Sequence, residues 1–536
     1  MEERAKDLIS RGDYLFGKKA TVNSLHQTIA EQFYPERASF TFKRFEGDEF
    51  ADHMMSSFPS MARRDLANQI ASMLRKDDWF DMSVMGMEEQ LSHKSKVFLD
   101  HATKIQQAHM LHRSAGFNRA TSEGDHDYVT FGQNVIQVGY SYAHNGMLYT
   151  CHHMKDCAWA QDYKGEVVEF HRKCKKTYRD LARAFGEKKL ASEMKEKGNK
   201  NQNEEFTVRH VVIPADEYNE GRMPDKGDGK GVGWKEPYVS VWIDVENSHI
   251  LEEVDSIDLQ YNVAQWQQVS GSAYAHSPAT IVCLPDARLI QDMTRVLLEA
   301  GEIAVLPPMV ATRDAIRGDI ALYSGGITYL DHEYDERSGD ALRPLTRDTS
   351  GIPLGMDMAQ EIKAMITEGF YLNKLRLPVL TDMTAYEVRQ RMEEWVRQAL
   401  PIFRPMEVSY NGGLCEMTFN RMMRIDAFGR KSEIPDEIYG SEIEFKFKSP
   451  LQGASQRADS DRFMEMQQFL AAASQFDPMV AEEIDISKSF RSAISGLSVP
   501  QDWIRDERTA EEAKAGRMAM IAAAQQQEQM PAQQSA

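Results

Sequence analysis

Asp162-Tyr-Lys-Gly-Glu-Val-Val-Glu-Phe170 decides the fold class. Its first four residues are turn chemistry, and the β-branched and aromatic run behind them reads as a strand. The same pattern recurs on both sides. Tyr128–Val138 is β-branched and aromatic, and Gly146-Met-Leu-Tyr-Thr-Cys151 follows the turn His144-Asn145-Gly146. Strands are expected again at Phe206–Ile213 and Pro237–Glu246, separated by the glycine-rich 221–233, and a helix at 175–197 interrupts the series. The span reads as an α+β domain with a polar insertion.

Helical periodicity brackets this domain. Leu8, Leu15, Leu25, Ile29 and Phe33 line a stripe along 2–33, and Met61, Leu66, Ile70, Met73 and Leu74 another along 59–75. Leu251, Val254, Ile257, Tyr261 and Ala264 recur at spacings of three and four, which predicts a helix of about six turns over 250–273. Residues 276–356 are broken by Pro285, Pro307, Pro308, Gly325-Gly326, Pro344 and Pro353 and read as a compact β-rich or loop-rich module. A further helix is expected from Met358 to about Leu375, stopping before Pro378. Thr384-Ala-Tyr-Glu387 is a capping box. The helix behind it carries Val388, Met392, Trp395, Ala399 and Phe403, with a kink or break expected at Pro401 and Pro405. Another helix follows from Leu414 to Phe428, and the Ala- and Gln-rich 509–536 reads as a frayed tail.

The chain has 536 residues, enough for three or four domains at about 150 residues each. Its 63 Lys and Arg against 82 Asp and Glu give a formal charge of −19, and 42% of its residues are hydrophobic. That balance excludes wholesale disorder and a surface that grips nucleic acid or anionic lipid all over, because such surfaces need excess cations. Charge is nevertheless uneven: residues 164–200 hold twelve Lys or Arg and six Asp or Glu, whereas 326–361 hold eight acidic and three basic residues. No run approaches the roughly 20 apolar residues of a membrane span, the best candidate, Ile303–Val310, being broken by Pro307 and Pro308. The charged Met1-Glu-Glu-Arg-Ala-Lys-Asp7 lacks the apolar core of an export signal, so synthesis in a cytoplasm is expected. Five cysteines fit reduced thiols better than a disulfide framework.

The chemistry of catalysis is sparse. No G-x-x-x-x-G-K-[ST], H-E-x-x-H or G-x-S-x-G pattern occurs, and Gly227-Asp-Gly-Lys-Gly-Val-Gly233 has neither a strand before it nor a helix after it. Cys151-His-His-Met-Lys-Asp-Cys157 with His171-Arg-Lys-Cys174 has zinc-binding residue types, and a metal-dependent hydrolase is one reading of it. The five-residue gap is looser than zinc spacing favours, and reduced core cysteines beside surface histidines are the simpler reading. No cofactor and no metal are expected.

The order of several segments carries a resemblance. Leu25–Phe40, ending its helix in Phe33-Tyr-Pro35, precedes Arg64–Leu74 and the turn Asp78-Trp-Phe-Asp-Met82. Thr130-Phe-Gly-Gln-Asn-Val-Ile136 follows, then Asp162–Phe170 with Tyr178-Arg-Asp-Leu-Ala-Arg-Ala-Phe-Gly186. Met383-Thr-Ala-Tyr-Glu-Val388 with Arg391-Met-Glu-Glu394, and Lys448-Ser-Pro-Leu-Gln-Gly-Ala-Ser-Gln456, complete the series. Together they resemble the head-to-tail connecting (portal) proteins of short-tailed bacteriophages, over about residues 4–520. The 190–232 insertion and the 276–356 module carry no recognised motif.

The resemblance implies a non-enzymatic virion protein: a homododecameric ring at one capsid vertex, conducting double-stranded DNA during packaging and ejection. It implies an α+β subunit with a mixed wing, a two-helix stem, a small β-containing clip and a helical crown. By order, 1–250 would be N-terminal helices and wing, 251–275 the first stem helix, 276–356 the clip, and 357–375 the second stem helix. The tunnel loop would be 376–381, the wing helices behind it 382–456, and the crown and tail 457–536. Implied partners are other copies of itself, the terminase large subunit, the major capsid protein and scaffold, a tail adaptor or tail tube protein, and the DNA. Candidate channel residues are Lys374, Arg376, Leu377, Pro378, Val379 and Leu380, with Lys374 and Arg376 as transient cationic contacts. Scaffold or coat protein is the alternative within the virion.

Overall fold

The computed structural model describes residues 2–45, 47–76, 78–86, 91–141, 145–218, 236–311, 342–344, 351–375, 385–430, 433–438, 440–448, 463–472, 484–495, 503–505, 509–510 and 512–520. Helices α1 (Glu2–Lys18), α2 (Ala20–Phe33) and α3 (Phe58–Leu74) match the two stripes expected of them, the first divided at Lys19. Strand β1 (Phe80–Val84) and helices α4 (His93–Leu111) and α5 (Phe117–Phe131) follow. Strands β2 (Gln133–Ser141), β3 (Gly146–Cys151), β4 (Cys157–Gln161) and β5 (Val167–Thr177) come next, then α6 (Tyr178–Phe185) and α7 (Ser192–Lys200). Behind them are β6 (Glu205–Pro214), the single turn α8 (Ala215–Tyr218), β7 (Tyr238–Asp244), β8 (His249–Ser256) and β9 (Tyr261–Gln265).

Strands β4 to β8 form a five-stranded antiparallel meander in chain order, and β3-β2-β9 form a second sheet. The meander is covered on two sides. Ala5 and Leu8 of α1 pack with Val211, Ile213, Val239, Val241 and Ile243. Tyr178, Leu181, Leu190 and Met194 of the α6–α7 segment pack with Phe206, Val208 and Leu251. The chain is α+β, as read from its sequence.

Three expectations fail here. Tyr128–Phe131 is the last turn of α5, not strand; only from Gln133 does the strand begin. Tyr128 is buried between Trp266 and Tyr410, stacked at 5.4 and 5.6 Å, and the Thr130 hydroxyl donates to the His126 carbonyl (2.7 Å), so tertiary packing overrides β-propensity. Gly132 ends the helix at φ +74, where a Cβ would stand 2.0 Å from the His276 carbonyl carbon. The helix of 250–273 is absent: β8 and β9 occupy it, with a turn at Gln260 (φ +65) whose amide donates to Asp258 Oδ1 (2.9 Å). Four of the five β9 residues are buried, so no alternation betrays the strand, and its pairing with β2 lies more than a hundred residues away in sequence. The helix of 175–197 divides because Lys175–Thr177 complete β5, Thr177 caps α6 through the Asp180 amide, and Gly186 turns the chain at φ +83.

The C-terminal half continues with α9 (Pro278–Val305), β10 (Met309–Ala311), β11 (Leu342–Pro344), α10 (Gly351–Gly369), α11 (Leu372–Leu375), α12 (Ala385–Pro405), α13 (Gly413–Arg424) and β12 (Ile443–Phe447). The 28-residue α9 overturns the β-rich or loop-rich reading of its part of 276–356, of which 312–341 and 345–350 lie outside the described residues. Pro278 is pre-organised for the first turn, behind the cap Ser277. Pro285 sits on the exposed side, where the donor it removes costs about 3 kcal/mol against the packing of a whole helix face. Helix α12 passes through Pro401, and after Pro405 the ladder widens into a π-helix, Met406–Gly412, before α13. Strand β12 returns to pair with β1, seating Phe447 beside Trp79 at 5.8 Å. Thr384 of the capping box lies outside the described residues.

Candidate functional site

Helices α9 and α10 form an antiparallel hairpin. Its root is fastened in the main core: the Ser277 hydroxyl donates to the Val129 carbonyl (2.6 Å) and the Thr280 hydroxyl to the Thr130 carbonyl (2.8 Å). Cys283 Sγ reaches the Ile366 carbonyl at 3.9 Å, and a Cβ on Gly369 would stand 2.2 Å from the same sulfur, so the two backbones approach closely at that crossing. Higher up, Gly355 faces Leu297.

Burial stops half-way along. On α9 the buried residues are Ala279, Thr280, Cys283, Ala287 and Ile290; on α10 they are Ala359, Ile362 and Ile366. Beyond Ile290 and before Ala359 none of the described residues of the hairpin is buried, and it presents Val296, Leu298, Leu354, Met356 and Met358 at 46–64% exposure. Val305 and Leu306 are more exposed still. The short pair β10–β11 lies beyond, with Met309 opposite Pro344.

At the root, α10 ends and Tyr371 turns the chain with φ +57. Helix α11 then buries Leu372 and Leu375 and leaves Lys374 exposed, its Nζ 5.6 Å from the Tyr371 ring centre. Arg376, Leu377, Pro378, Val379 and Leu380 lie outside the described residues. Their two flanks are held: Leu375 in the core on one side, and on the other α12, which buries Trp395 and Ala399. The helix expected from Met358 starts seven residues earlier, at Gly351, with Pro353 in its first turn.

The Cys/His segment is packed into the body of the protein, and its histidines are not at the surface where the sequence reading put them: His171 is fully buried, and His152 and His153 are half-buried. Cys151 and Cys157 are buried, and burial pushes the Cys157 thiol up to about 12. His152 lies against Gln137 Oε1 (3.0 Å) and the Arg172 guanidinium; burial, then that cation, pull it down to about 3. His153 Nδ1 accepts from the Lys155 amide (3.1 Å), leaving Nε2 to donate toward the Arg37 carbonyl (3.3 Å). His171 pairs with Glu169 at 2.7 Å. Among the described residues no three His, Cys, Asp or Glu side chains converge as a metal-binding group, and no helix is long and apolar enough to cross a membrane.

Sequence reading missed two buried cations, one of which holds this segment. Lys19 is fully buried, donates to the Met154 (2.5 Å) and Cys157 (2.7 Å) carbonyls, and lies 5.1 Å from the Trp159 and Tyr274 rings. Arg75 pairs with Asp125 and donates to Asn411 Oδ1 at 3.0 Å. Nothing in the local sequence marks either cation as buried.

A family model described as "Bacteriophage head to tail connecting protein" matches residues 5–504. The chain belongs to that family. Head to tail connecting proteins are structural components of the phage virion, which is where this chain belongs. Among curated relatives, a probable portal protein of Bordetella phage BPP-1 is 24% identical over 497 residues, covering 90% of this chain and 85% of its own. Among solved structures, a chain in the virion of a native gene transfer agent particle aligns over 84% of this chain and 95% of its own. Its TM-score is 0.31 and its identity 9%.

Proposed function

We infer that this head to tail connecting protein is the portal of a short-tailed phage: a ring of about twelve copies at one capsid vertex, through which double-stranded DNA enters and leaves. The observation that carries the reading is the α9–α10 hairpin, rooted in the core and, among the described residues, exposing apolar side chains along its outer half. Such a surface calls for covering by another chain. A closed ring supplies that covering by packing one face of each hairpin on a different face of the next, a heterologous contact that closes by rotation.

In this reading the stem is α9 and α10, replacing the 251–275 assignment for its first helix. The clip is the connection between them around β10 and β11, and the wing is the α+β body. Residues 376–381 are the tunnel loop, with Lys374 and Arg376 as cations that meet passing phosphates. The chain's acidic balance suits a conduit, since a wall that neutralised many phosphates would hold DNA rather than release it. Packaging would draw on a separate ATP-driven terminase docked on the clip, with capsid, scaffold and tail adaptor as the remaining partners. No metal and no cofactor enter this reading.

Negative-stain microscopy of the purified full chain tests it. Rings of about twelve-fold symmetry with a central hole support it; monomers under all conditions, or shells of capsid size, overturn it. For the tunnel loop, Lys374→Ala with Arg376→Ala should lower DNA retention in filled heads, and unchanged packaging and retention would remove both residues from the channel assignment.

A further inference from the structure

The cations of 164–200 divide sharply once folded. Arg172 is buried against Gln137 and His152, Lys173 pairs with Asp13, Lys189 with Glu252 and Lys197 with Glu246. Of the eight that remain, Lys164 lies over the Tyr163 ring, Lys195 donates to the Lys188 carbonyl (3.4 Å) and Lys200 ends α7; the other five follow closely along the chain, Lys175 and Lys176 at the end of β5, Arg179 and Arg183 one turn apart on α6, and Lys188 just beyond. All five are exposed, and none forms an ion pair among the described residues. Asp180 and Glu187 are the acids within 175–188, and the Asp180 carboxylate is taken up by the Thr177 hydroxyl (2.8 Å).

The platform beneath is rigid. Tyr178 and Leu181 are buried against Phe206, Val208 and Leu251, and Gly198 of α7 lies so close to the Tyr178 ring that a Cβ there would stand 2.2 Å from it. This platform has its own hydrophobic cluster, separate from the one that roots the α9–α10 hairpin.

We propose that the outer face of α6, with the end of β5, binds the phosphate backbone of double-stranded DNA outside the channel. Two observations select this ligand over other anions. No large hydrophobic side chain of 164–200 is exposed, so the face lacks the aromatic or aliphatic anchor that forms the centre of a protein interface. The same lack of exposed aromatics removes the stacking platform that single strands require. Cations alone remain, two of them guanidinium groups suited to phosphate oxygens, and such contacts are independent of base sequence. The rest of a chain with net −19 repels DNA, which confines contact to this face. The inference rests on the portal reading for the source of the DNA and for the face lying outside a channel, while duplex binding by the face itself stands on the cations alone.

Fluorescence anisotropy with a labelled random-sequence duplex, on the full chain between 50 and 200 mM salt, tests it. The variant Lys175→Gln, Lys176→Gln, Arg179→Gln, Arg183→Gln should flatten the slope of log affinity against log salt by about 3 to 4, at about 0.9 per lost phosphate contact. Arg179→Gln with Arg183→Gln alone should flatten it by about 2, and serves if the fourfold variant does not fold. Absence of wild-type binding at 50 mM, an unchanged slope in the variants, or tighter binding of a single strand would each overturn the proposal. Microscopy of the same samples separates the two readings: rings that do not bind duplex sink this inference and leave the portal standing, whereas duplex binding without rings does the reverse.

Discussion

Lys19, at the joint between α1 and α2, is fully buried. Burial draws it from 10.5 down to about 8. Between those values the unfolded chain holds the extra proton, so stability rises with pH across that window as the buried amine is released from its charge. Relative to Lys19→Met, the wild-type protein should gain about 3 kcal/mol from pH 8 to 10.5, read from paired urea unfolding curves. His152 and His153 act at the other end of the scale. Burial first, then Arg172 for one and Arg37 for the other, lowers them to about 3 and about 2. Their contribution is complete above pH 6.5 and is lost as pH falls through the interval below it, where only the unfolded chain takes up protons. Each should cost up to about 1.4 kcal/mol per pH unit between 6.5 and 4, and His152→Gln should make the measured acid limb correspondingly shallower.

At the scale of elements, the hairpin crossing is the most constrained contact. Gly369→Ala would press a methyl into Cys283 Sγ, whose short side chain has little room to yield, and should destabilise the protein by about 1–3 kcal/mol. Cys283→Ala alone leaves a small void; combined with Gly369→Ala it should recover most of the loss, and a thermal-melt double-mutant cycle reads that coupling directly. What was legible in the sequence follows the same logic of locality. Amphipathic α2 and α3, capped or turn-bounded β3 and β5, and the helix ahead of α11 declared themselves because their signals lie within a few residues. Strand β9 did not, because it is buried on both faces and its partner is remote, and the chance three-and-four spacing of Leu251, Val254, Ile257, Tyr261 and Ala264 imitated a helix. Helix α9 was hidden by Pro285, a residue that punctuates loops but is tolerated where a long helix turns one side to solvent. The candidate site therefore moved: its second helix was recognisable, its first was sought one element too early.

For the whole molecule, the exposed hairpin and the net charge oppose each other. In the proposed ring, apolar residues such as Val296, Leu298, Leu354 and Met356 would favour association of neighbouring hairpins, while every copy would bring a formal −19. Ring formation should therefore be limited by repulsion at low ionic strength. Raising salt from 0.01 to 0.15 M shortens the screening length from about 30 to about 8 Å, which removes most of that repulsion without weakening apolar contact. The fraction of chain sedimenting as rings should increase across this range. Val296→Glu with Leu298→Glu should hold the protein monomeric at every salt concentration with its melting temperature nearly unchanged, since both side chains are already solvent-facing in the single subunit. The opposite salt response, rings that fall apart as salt rises, would mean that ion pairs rather than the apolar hairpin faces join the subunits, and the stem would have to be sought elsewhere in the chain.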